Sequence, residues 1–216
     1  MCGITGFYNL KGFNGVDPID DLNKMLASLR HRGPNDEGVW LDQSCGIAFA
    51  HTRLAVIDLS SAGRQPMQSQ SGRYQIVFNG EIYNFESIRS SLSSYSWTTF
   101  GDSETILALF EKTSLGNQNA SAKDPGAWIQ QLDGMFAFAF WDNKYNTLLI
   151  ARDRYGIKPL YYAIQNNIFI FASEQKAIIS HPEFKRTINK SALFEYFTFQ
   201  NIFTSQTLFE DVNILP

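Results

Sequence analysis

Apolar and polar residues follow two different periods along this chain, and the first segments show both. Residues 4–8 form a short apolar run followed by a turn at residues 12–15, so the pattern predicts a strand near the N-terminus. From Asp17-Pro18 to Gly33-Pro34, apolar residues recur at helical spacing, which predicts a helix with a proline start and a glycine-proline stop. We expect this helix to serve packing only.

Short apolar runs bounded by turn residues recur through the rest of the chain and predict further strands. These runs cover residues 46–51, 74–78, 135–142, 147–151, 160–163 and 168–172. The last four runs form two successive pairs, each joined by a short connection that contains asparagine. Such pairs are typical of antiparallel hairpins.

Helical patterns precede and follow these hairpins. They begin at Asn84, which we expect to cap its helix, and at Ser103, and they return at residues 173–179 and 190–197. Residues 113–126 are rich in Ser, Asn, Gly and Ala and predict a long surface loop. Helices on both sides of a region of antiparallel hairpins predict a layered α+β domain.

Composition supports a single folded domain over residues 1–216. The chain is 44% hydrophobic and 18% charged, which is typical of globular proteins, and no shift in composition divides it. Its net charge of −3 gives no basic surface for nucleic acid or an anionic membrane. Its apolar runs are too short to cross a bilayer, and the N-terminus lacks a targeting pattern. We therefore expect a cytoplasmic protein that binds neither nucleic acid nor membrane.

The cysteine and histidine residues argue against two common kinds of site. Two cysteines, Cys2 and Cys45, and three scattered histidines, His31, His51 and His181, provide neither a disulfide framework nor zinc-ligand spacing. We expect no metal in this domain, and we expect Cys45 to be a buried small hydrophobic residue.

Cys2 directly follows Met1, and removal of Met1 would leave a thiol and a free α-amine on one residue. A thiol with a pKa of about 8.5 and an amine with a pKa of about 7.7–8.0 form a nucleophile with its own base. Gly3 adds no side chain beside the sulfur. Two alternatives stay open here: an inert N-terminal cysteine, and a Cys-His hydrolase that uses His31 or His51 as its base.

Three further segments carry groups that suit an amide attached to an α-amino acid, such as glutamine. Arg53 can bind a carboxylate through two parallel hydrogen bonds, although a surface ion pair with Asp58 is the simpler explanation of that residue alone. Asn79-Gly80, which we place at the end of a strand, offers two oxyanion donors, with a tight turn as the alternative. Asp102 enters a helix and either caps it or binds an ammonium group.

These residues lie in motifs that resemble the glutaminase domain of the asparagine synthetases, within the class II (N-terminal cysteine) glutamine amidotransferases. The motifs occur in the family's order and cover nearly the whole chain. They are Met1-Cys2-Gly3-Ile4, Arg32-Gly33-Pro34-Asn35-Asp36, Gln65-Pro66, and residues 53–58, 78–84, 101–104, 133–142, 151–162 and 171–178. Residues 153–162 and 173–178 favour asparagine synthetase over other Cys-Gly relatives, and we expect them to be structural.

The resemblance implies an N-terminal nucleophile hydrolase fold, a four-layer αββα sandwich with two antiparallel sheets. It also implies that Cys2 attacks the side-chain amide of L-glutamine while its α-amine relays the proton, and that Asn79 and Gly80 form the oxyanion hole. Glutamate and ammonia would be released through a cysteinyl thioester. The residues that the resemblance assigns to substrate binding are Arg53, Leu54, Ala55, Val56, Ile57, Asn79, Gly80, Glu81 and Asp102.

The chain departs from the family in two ways, of which the first bears on local geometry and the second on partners. Residues 113–126 are longer than is usual, and the chain stops at Pro216, where a family member continues into an ATP-dependent synthetase domain. We expect an excised domain with no cofactor of its own, which supplies ammonia to a synthetase domain in cis or in trans; ATP and Mg²⁺ belong to that domain. Aspartate is the default acceptor, and a homodimer is compatible with the family. The alternative function is a non-catalytic regulatory or docking domain.

Overall fold

The computed structural model describes residues 1–13, 17–115 and 126–216. The strands are β1 (Gly3–Asn9), β2 (Asp36–Asp42), β3 (Ile47–Arg53), β4 (Met67–Gln68), β5 (Tyr74–Ile82), β6 (Gly134–Asp142), β7 (Thr147–Arg152), β8 (Tyr161–Gln165), β9 (Ile168–Ala172) and β10 (Val212–Ile214). The helices are α1 (Pro18–Ala27), α2 (Phe85–Ser91), α3 (Asp102–Leu115), α4 (Gly126–Ile129), α5 (Gln175–Ile179) and α6 (Lys190–Phe199).

The strands form two antiparallel sheets. The large sheet has the order β10-β8-β9-β1-β3-β2, and the small sheet has the order β4-β5-β6-β7. β1 therefore lies near the middle of the large sheet, between β9 and β3. In the small sheet, β5 pairs with β6 along its whole length.

The two sheets pack face to face, and helices cover both outer faces. Because side chains alternate between the faces of a strand, each sheet contributes to two hydrophobic cores. Between the sheets, Phe49 and Phe171 of the large sheet pack with Val77 and Trp141 of the small sheet, and all four are fully buried. Helices α1 and α5 cover the large sheet, and α2, α3 and α4 cover the small one. The predicted four-layer αββα arrangement is confirmed.

The predicted strands are all present, but β2, β4 and β10 were not predicted. β2 is the edge strand of the large sheet and is only partly buried, so its sequence lacks a clear apolar period. β4 and β10 are two and three residues long, too short for a periodic pattern. The placement of Asn79-Gly80 at a strand end was wrong, because β5 continues to Ile82, which pairs with Gly134.

Two helix predictions and one loop prediction also need correction. α1 ends at Ala27, and a 3-10 turn at Arg30–Arg32 follows it. Asn84 precedes α2 but does not cap it, because its side-chain amide donates to Gln131 O at 2.9 Å and its Oδ1 accepts from Asp133 N at 3.0 Å. The predicted loop at 113–126 begins inside α3, and residues 116–125 lie outside the described ranges, as do residues 14 and 15 of the predicted turn.

Cys45 is not the buried hydrophobic residue that we expected. It is partly exposed in the connection between β2 and β3, where its Sγ donates to Asn146 Oδ1 at 3.3 Å. As for membranes, no helix within residues 1–13, 17–115 and 126–216 is both long enough and apolar enough to cross a bilayer.

Candidate active site

A cavity of about 250 Å³ lies where the space between the two sheets reaches the N-terminal end of β1. Cys2 precedes β1 and shares a face with Ile4, which is buried between the sheets. Arg53 ends β3, and Asn79 lies in β5, each an even number of residues from a side chain of the same inter-sheet core. The period of two therefore directs all three side chains toward one space.

Every residue that the sequence assigned to the site lines this cavity. The lining includes Cys2, Arg53, Leu54, Ala55, Val56, Ile57, Asn79, Gly80, Glu81 and Asp102. They come from the residue before β1, from the end of β3 and the loop after it, from β5, and from the start of α3. The structure thus brings the predicted residues together, while their individual roles remain predictions.

The Cys2 thiol is held by the main chain of the residue after β3. Its Sγ lies 3.4 Å from Leu54 N and 3.6 Å from Leu54 O. Burial raises the pKa of the Cys2 thiol, and the hydrogen bond with Leu54 and the positive charge of Arg53 only partly offset this effect. The thiol is therefore protonated at neutral pH and needs a base before it can attack.

Asn79 presents a free hydrogen-bond donor. Its residue is 2% exposed, and Nδ2 has no hydrogen-bond partner among the residues that the structure describes. Burial of an unpaired amide donor costs about 1–3 kcal/mol, so its retention in the cavity wall indicates a ligand acceptor.

The N–H of Gly80 is a second donor, and its direction follows from the strand register. Gly80 faces Phe136 on β6, but both main-chain groups of Phe136 bond to Asp153 instead: Phe136 O accepts from Asp153 N at 2.8 Å, and Phe136 N donates to Asp153 Oδ2 at 3.1 Å. Gly80 and Phe136 therefore form a pair without ladder hydrogen bonds, and the Gly80 N–H points away from β6. On that side the neighbouring N–H groups of Phe78 and Ile82 already donate to side chains.

Arg53 is fixed by main-chain carbonyls and not by a surface ion pair. The residue is 8% exposed, and its guanidinium donates to Ser60 O at 2.7 Å and to Asp58 O. The Asp58 carboxylate instead accepts from the main-chain N–H groups of Ser60 and Phe100. A Cβ on Gly63 would lie 2.5 Å from Arg53 Nη2, so this loop is shaped around the guanidinium. The ion-pair explanation of Arg53 was wrong.

Two carboxylates form the opposite part of the wall. Asp102 is 6% exposed, and its Oδ2 accepts from Ile82 N at 3.0 Å. Burial raises the pKa of Asp102 to about 6, against the lowering effect of main-chain hydrogen bonds, and the charge of Glu81 raises it further. Neither carboxylate has a salt-bridge partner in the part of the chain that the structure describes. This pair suits an incoming cation.

Sequence reasoning did not assign every polar residue of the wall to the site, and two of those it missed, Gln65 and Lys158, lie in the motifs quoted above. Gln65 accepts from Phe78 N at 2.6 Å and donates to Ser103 Oγ at 3.1 Å, so it fastens β5 to α3. Lys158 is 6% exposed, and its Nζ lies 3.5 Å from the sulfur of Met1. Their only sequence signal is membership of a motif, because neither has a distinctive neighbour.

The two histidines considered as bases lie elsewhere. His51 is buried between the sheets, where its Nε2–H donates to Phe78 O at 3.2 Å, and burial lowers the pKa of its ring to about 4. His31 is half exposed and bonds to Glu174 at 2.9 Å. Neither lines the cavity, so the Cys-His alternative has no support from this geometry.

Comparison with known proteins defines the class. A family model described as a glutamine amidotransferase domain matches residues 1–216, and the chain belongs to that family. Among solved structures, the glutamine phosphoribosylpyrophosphate amidotransferase from Bacillus subtilis superposes with a TM-score of 0.69 over 87% of this chain and 45% of that one. At 20% identity this likeness shows the fold, which is the expected N-terminal nucleophile hydrolase fold.

Curated relatives narrow the resemblance further. The chain is 36% identical over 205 residues to the glutamine-hydrolyzing asparagine synthetase 3 of Bacillus subtilis, matching 91% of this chain and 30% of that protein. It is 33% identical over 189 residues to amidase chry2 of Gibberella zeae, matching 83% of this chain and 26% of that protein. The chain therefore spans less than a third of the length of these two relatives.

Proposed function

We propose that this domain hydrolyses L-glutamine to glutamate and ammonia in the cytoplasm, with Cys2 as an N-terminal nucleophile. The observation that carries the proposal is the convergence of four kinds of group in one cavity. These are a thiol, two oxyanion donors, a buried guanidinium and a pair of carboxylates. A free amino acid with a side-chain amide complements all four at once.

The chemistry begins with removal of Met1, which gives Cys2 a free α-amine. In the proposed first step the thiol proton passes to this amine, and the sulfur attacks the amide carbon while the carbonyl oxygen becomes an oxyanion. Asn79 Nδ2 and the Gly80 N–H donate to the oxyanion. Collapse breaks the carbon–nitrogen bond, the ammonium returns its proton to the leaving nitrogen, and ammonia departs.

A thioester between Cys2 and the glutamyl group remains after this step. Water attacks it with the same α-amine as base, the carbon–sulfur bond breaks, and glutamate leaves as the thiol is restored. Throughout both steps the Arg53 guanidinium holds the substrate carboxylate, and Glu81 and Asp102 hold its ammonium group. Leu54, Ala55, Val56 and Ile57 form the wall along the substrate.

The ammonia is proposed to serve an ATP-dependent amidation of the asparagine synthetase type, carried by a synthetase domain in cis or in trans. Aspartate is the proposed acceptor. ATP and Mg²⁺ belong to that second domain, and no step in this chain passes through them. Support comes from the relatives, one of which is named a glutamine-hydrolyzing asparagine synthetase.

The first test compares two single substitutions. C2A should abolish release of glutamate from glutamine, and C45A should leave it unchanged, because Cys45 lies outside the cavity. Circular dichroism and thermal unfolding of both variants check the fold. Glutamine hydrolysis by C2A near the wild-type rate would contradict the mechanism, and a well-folded wild type without hydrolysis would favour a regulatory or docking domain.

A second test concerns the N-terminus. Intact mass should show loss of Met1 in the active protein. A tag that stays attached before Met1 should suppress hydrolysis, whereas the same tag after Pro216 should not. If the N-terminally tagged protein were fully active, the α-amine could not be the base.

A further inference from the structure

On the side of β1 that faces β9, the main chain of Cys2 lies outside the strand pairing. β1 pairs with β3 from Gly3 onward, whereas its pairing with β9 begins only at Thr5. Ser173, the residue after β9, extends that pairing, since its N–H donates to Ile4 O at 2.9 Å and its Oγ accepts from Ile4 N at 3.0 Å. Main-chain groups alternate sides along a strand, so the next carbonyl on this side is that of Cys2.

Arg32 occupies the place that another strand residue would take. Its Nε donates to Cys2 O at 2.9 Å, and its side chain is 8% exposed. Gly3 leaves room for this side chain, because a Cβ there would lie 3.3 Å from Arg32 Cδ and 2.6 Å from Thr52 Oγ1. The carbonyl next to the nucleophile is therefore held by a buried guanidinium.

Glu174 in turn holds Arg32. Its Oε1 accepts from Arg32 Nη1 at 2.8 Å and from His31 Nε2 at 2.9 Å, and Lys176 Nζ lies 3.1 Å from its Oε2. Burial favours the protonated acid, but the hydrogen bonds from Arg32, Lys176 and His31 outweigh it and lower the pKa of Glu174 to about 2. Of these three partners, only Arg32 is buried and reaches Cys2.

We propose that Glu174 is a positioning residue of the nucleophile, which acts through Arg32 on the main chain of Cys2. The proposal rests on the proposed function, because it matters once Cys2 becomes the first residue. The chain then no longer tethers Cys2 on its N-terminal side, and the contact from Arg32 restrains the carbonyl end. Misplacement of a reacting group by about 1 Å lowers a rate by about 100-fold.

The test compares E174Q with K176M in the full chain, with glutamine hydrolysis as the first readout. E174Q should lower kcat by about 10- to 100-fold and leave KM for glutamine within about twofold, because the residues that bind the substrate are untouched. K176M removes a neighbour of the same carboxylate on the exposed side and should leave both constants within about twofold. Equal losses in the two variants, or wild-type kcat in E174Q, would overturn the proposal.

A second readout does not depend on hydrolysis. In a C45S background Cys2 is the only thiol, so the rate of its alkylation by iodoacetamide reports its position and environment. E174Q should change this rate and K176M should not. A wild type that hydrolyses no glutamine would sink the proposed function, whereas an alkylation rate unchanged in E174Q would sink the positioning role alone.

The route through Arg32 is tested by a double-variant cycle. R32K keeps the positive charge but loses the planar fork, and it should lower kcat at least as much as E174Q. The double variant R32K/E174Q should lose no more than R32K alone, because both changes release the same contact. Additive losses would show that Glu174 acts by another route, and R32K supplies the comparison with K176M if E174Q does not fold.

Discussion

The two walls of the cavity differ in how their polar groups are satisfied before a ligand binds. On the large-sheet wall, Arg53 donates to two main-chain carbonyls, and the sulfur of Cys2 lies within hydrogen-bonding distance of a main-chain N–H and carbonyl. On the small-sheet wall, Asn79 Nδ2 lacks a partner in the described ranges, and the Gly80 N–H points away from β6. On the same wall, burial raises the pKa of Asp102. The polar groups of the large-sheet wall are already hydrogen-bonded within the domain, whereas groups on the small-sheet wall remain available to a ligand.

Because of this difference, substitutions in the two walls should have opposite effects on the stability of the domain. A buried polar group without a partner destabilises the free domain by about 1–3 kcal/mol, and a ligand that supplies the partner removes that penalty. Replacement of the Asn79 amide or the Asp102 carboxylate on the small-sheet wall by an uncharged group that needs no partner should therefore stabilise the fold while it damages activity. Substitution of Arg53 on the large-sheet wall should damage both, since its hydrogen bonds to two main-chain carbonyls also hold the fold together.

The largest effect is expected at Asn79. N79L keeps a similar volume but removes the unpaired donor, so kcat should fall by about 10²- to 10³-fold while the free energy of unfolding rises by about 1 kcal/mol. Steady-state hydrolysis and urea unfolding measure the two quantities. A loss of both activity and stability would show that the amide is structural and that the two walls do not differ in this way.

Arg53 provides the opposite case. R53K keeps the charge but loses the hydrogen bonds to Asp58 O and Ser60 O, so KM for glutamine should rise by about 10- to 100-fold and the free energy of unfolding should fall by about 1–3 kcal/mol. R64K is the matched control, because Arg64 is exposed and outside the cavity, and it should change neither quantity measurably. If the free energy of unfolding rose in R53K, the proposed difference between the two walls would be wrong.

Asp102 should behave like Asn79 in stability but with a smaller effect on activity. Its pKa of about 6 against an ordinary value of 3.8 means that D102N should stabilise the free domain by at most about 3 kcal/mol at neutral pH. KM for glutamine should rise by about tenfold, because the substrate ammonium loses a charged partner. D20N, which removes an exposed acid from the first turn of α1, is the control. A destabilised D102N would contradict the assignment.

The parts of the fold that could be predicted are those that leave a pattern in the local sequence. The strands of the inner core were predicted because runs such as 135–141 are apolar without interruption, whereas β2 was missed as a partly buried edge strand. The side chain of Asn84 was misassigned because its partners, Gln131 and Asp133, are distant in sequence. Local sequence patterns predict helices and strands. Contacts between residues that are distant in sequence determine the hydrogen-bond partners of polar side chains at the ends of those helices and strands.

For the functional site, too, the local sequence predicted some properties and long-range contacts determined the others. The residues that the sequence assigned to the cavity were named from motifs, whereas Gln65 and Lys158 also line it and were missed, because nothing in their side chains distinguishes them from other motif residues. Their state was not predictable: the raised pKa of Asp102, the free Nδ2 of Asn79 and the two carbonyls on Arg53 arise only when three separate strands and a helix meet. Glu174 was taken as structural for the same reason, because its link to Cys2 passes through Arg32 and spans most of the chain.

The smallest expected effect is a pH dependence confined to the small-sheet wall. Because the folded-state pKa of Asp102 lies near 6, its carboxylate loses its charge as pH falls through that value, and KM for glutamine should rise by about fourfold between pH 7 and pH 5.5. Between pH 3.8 and 6 the folded domain binds more protons at this residue than the unfolded chain. The stability difference between D102N and wild type should therefore be complete above pH 6 and disappear below pH 4. In D102N the KM profile should be flat over this range; an unchanged rise in KM would show that Asp102 is not the titrating group.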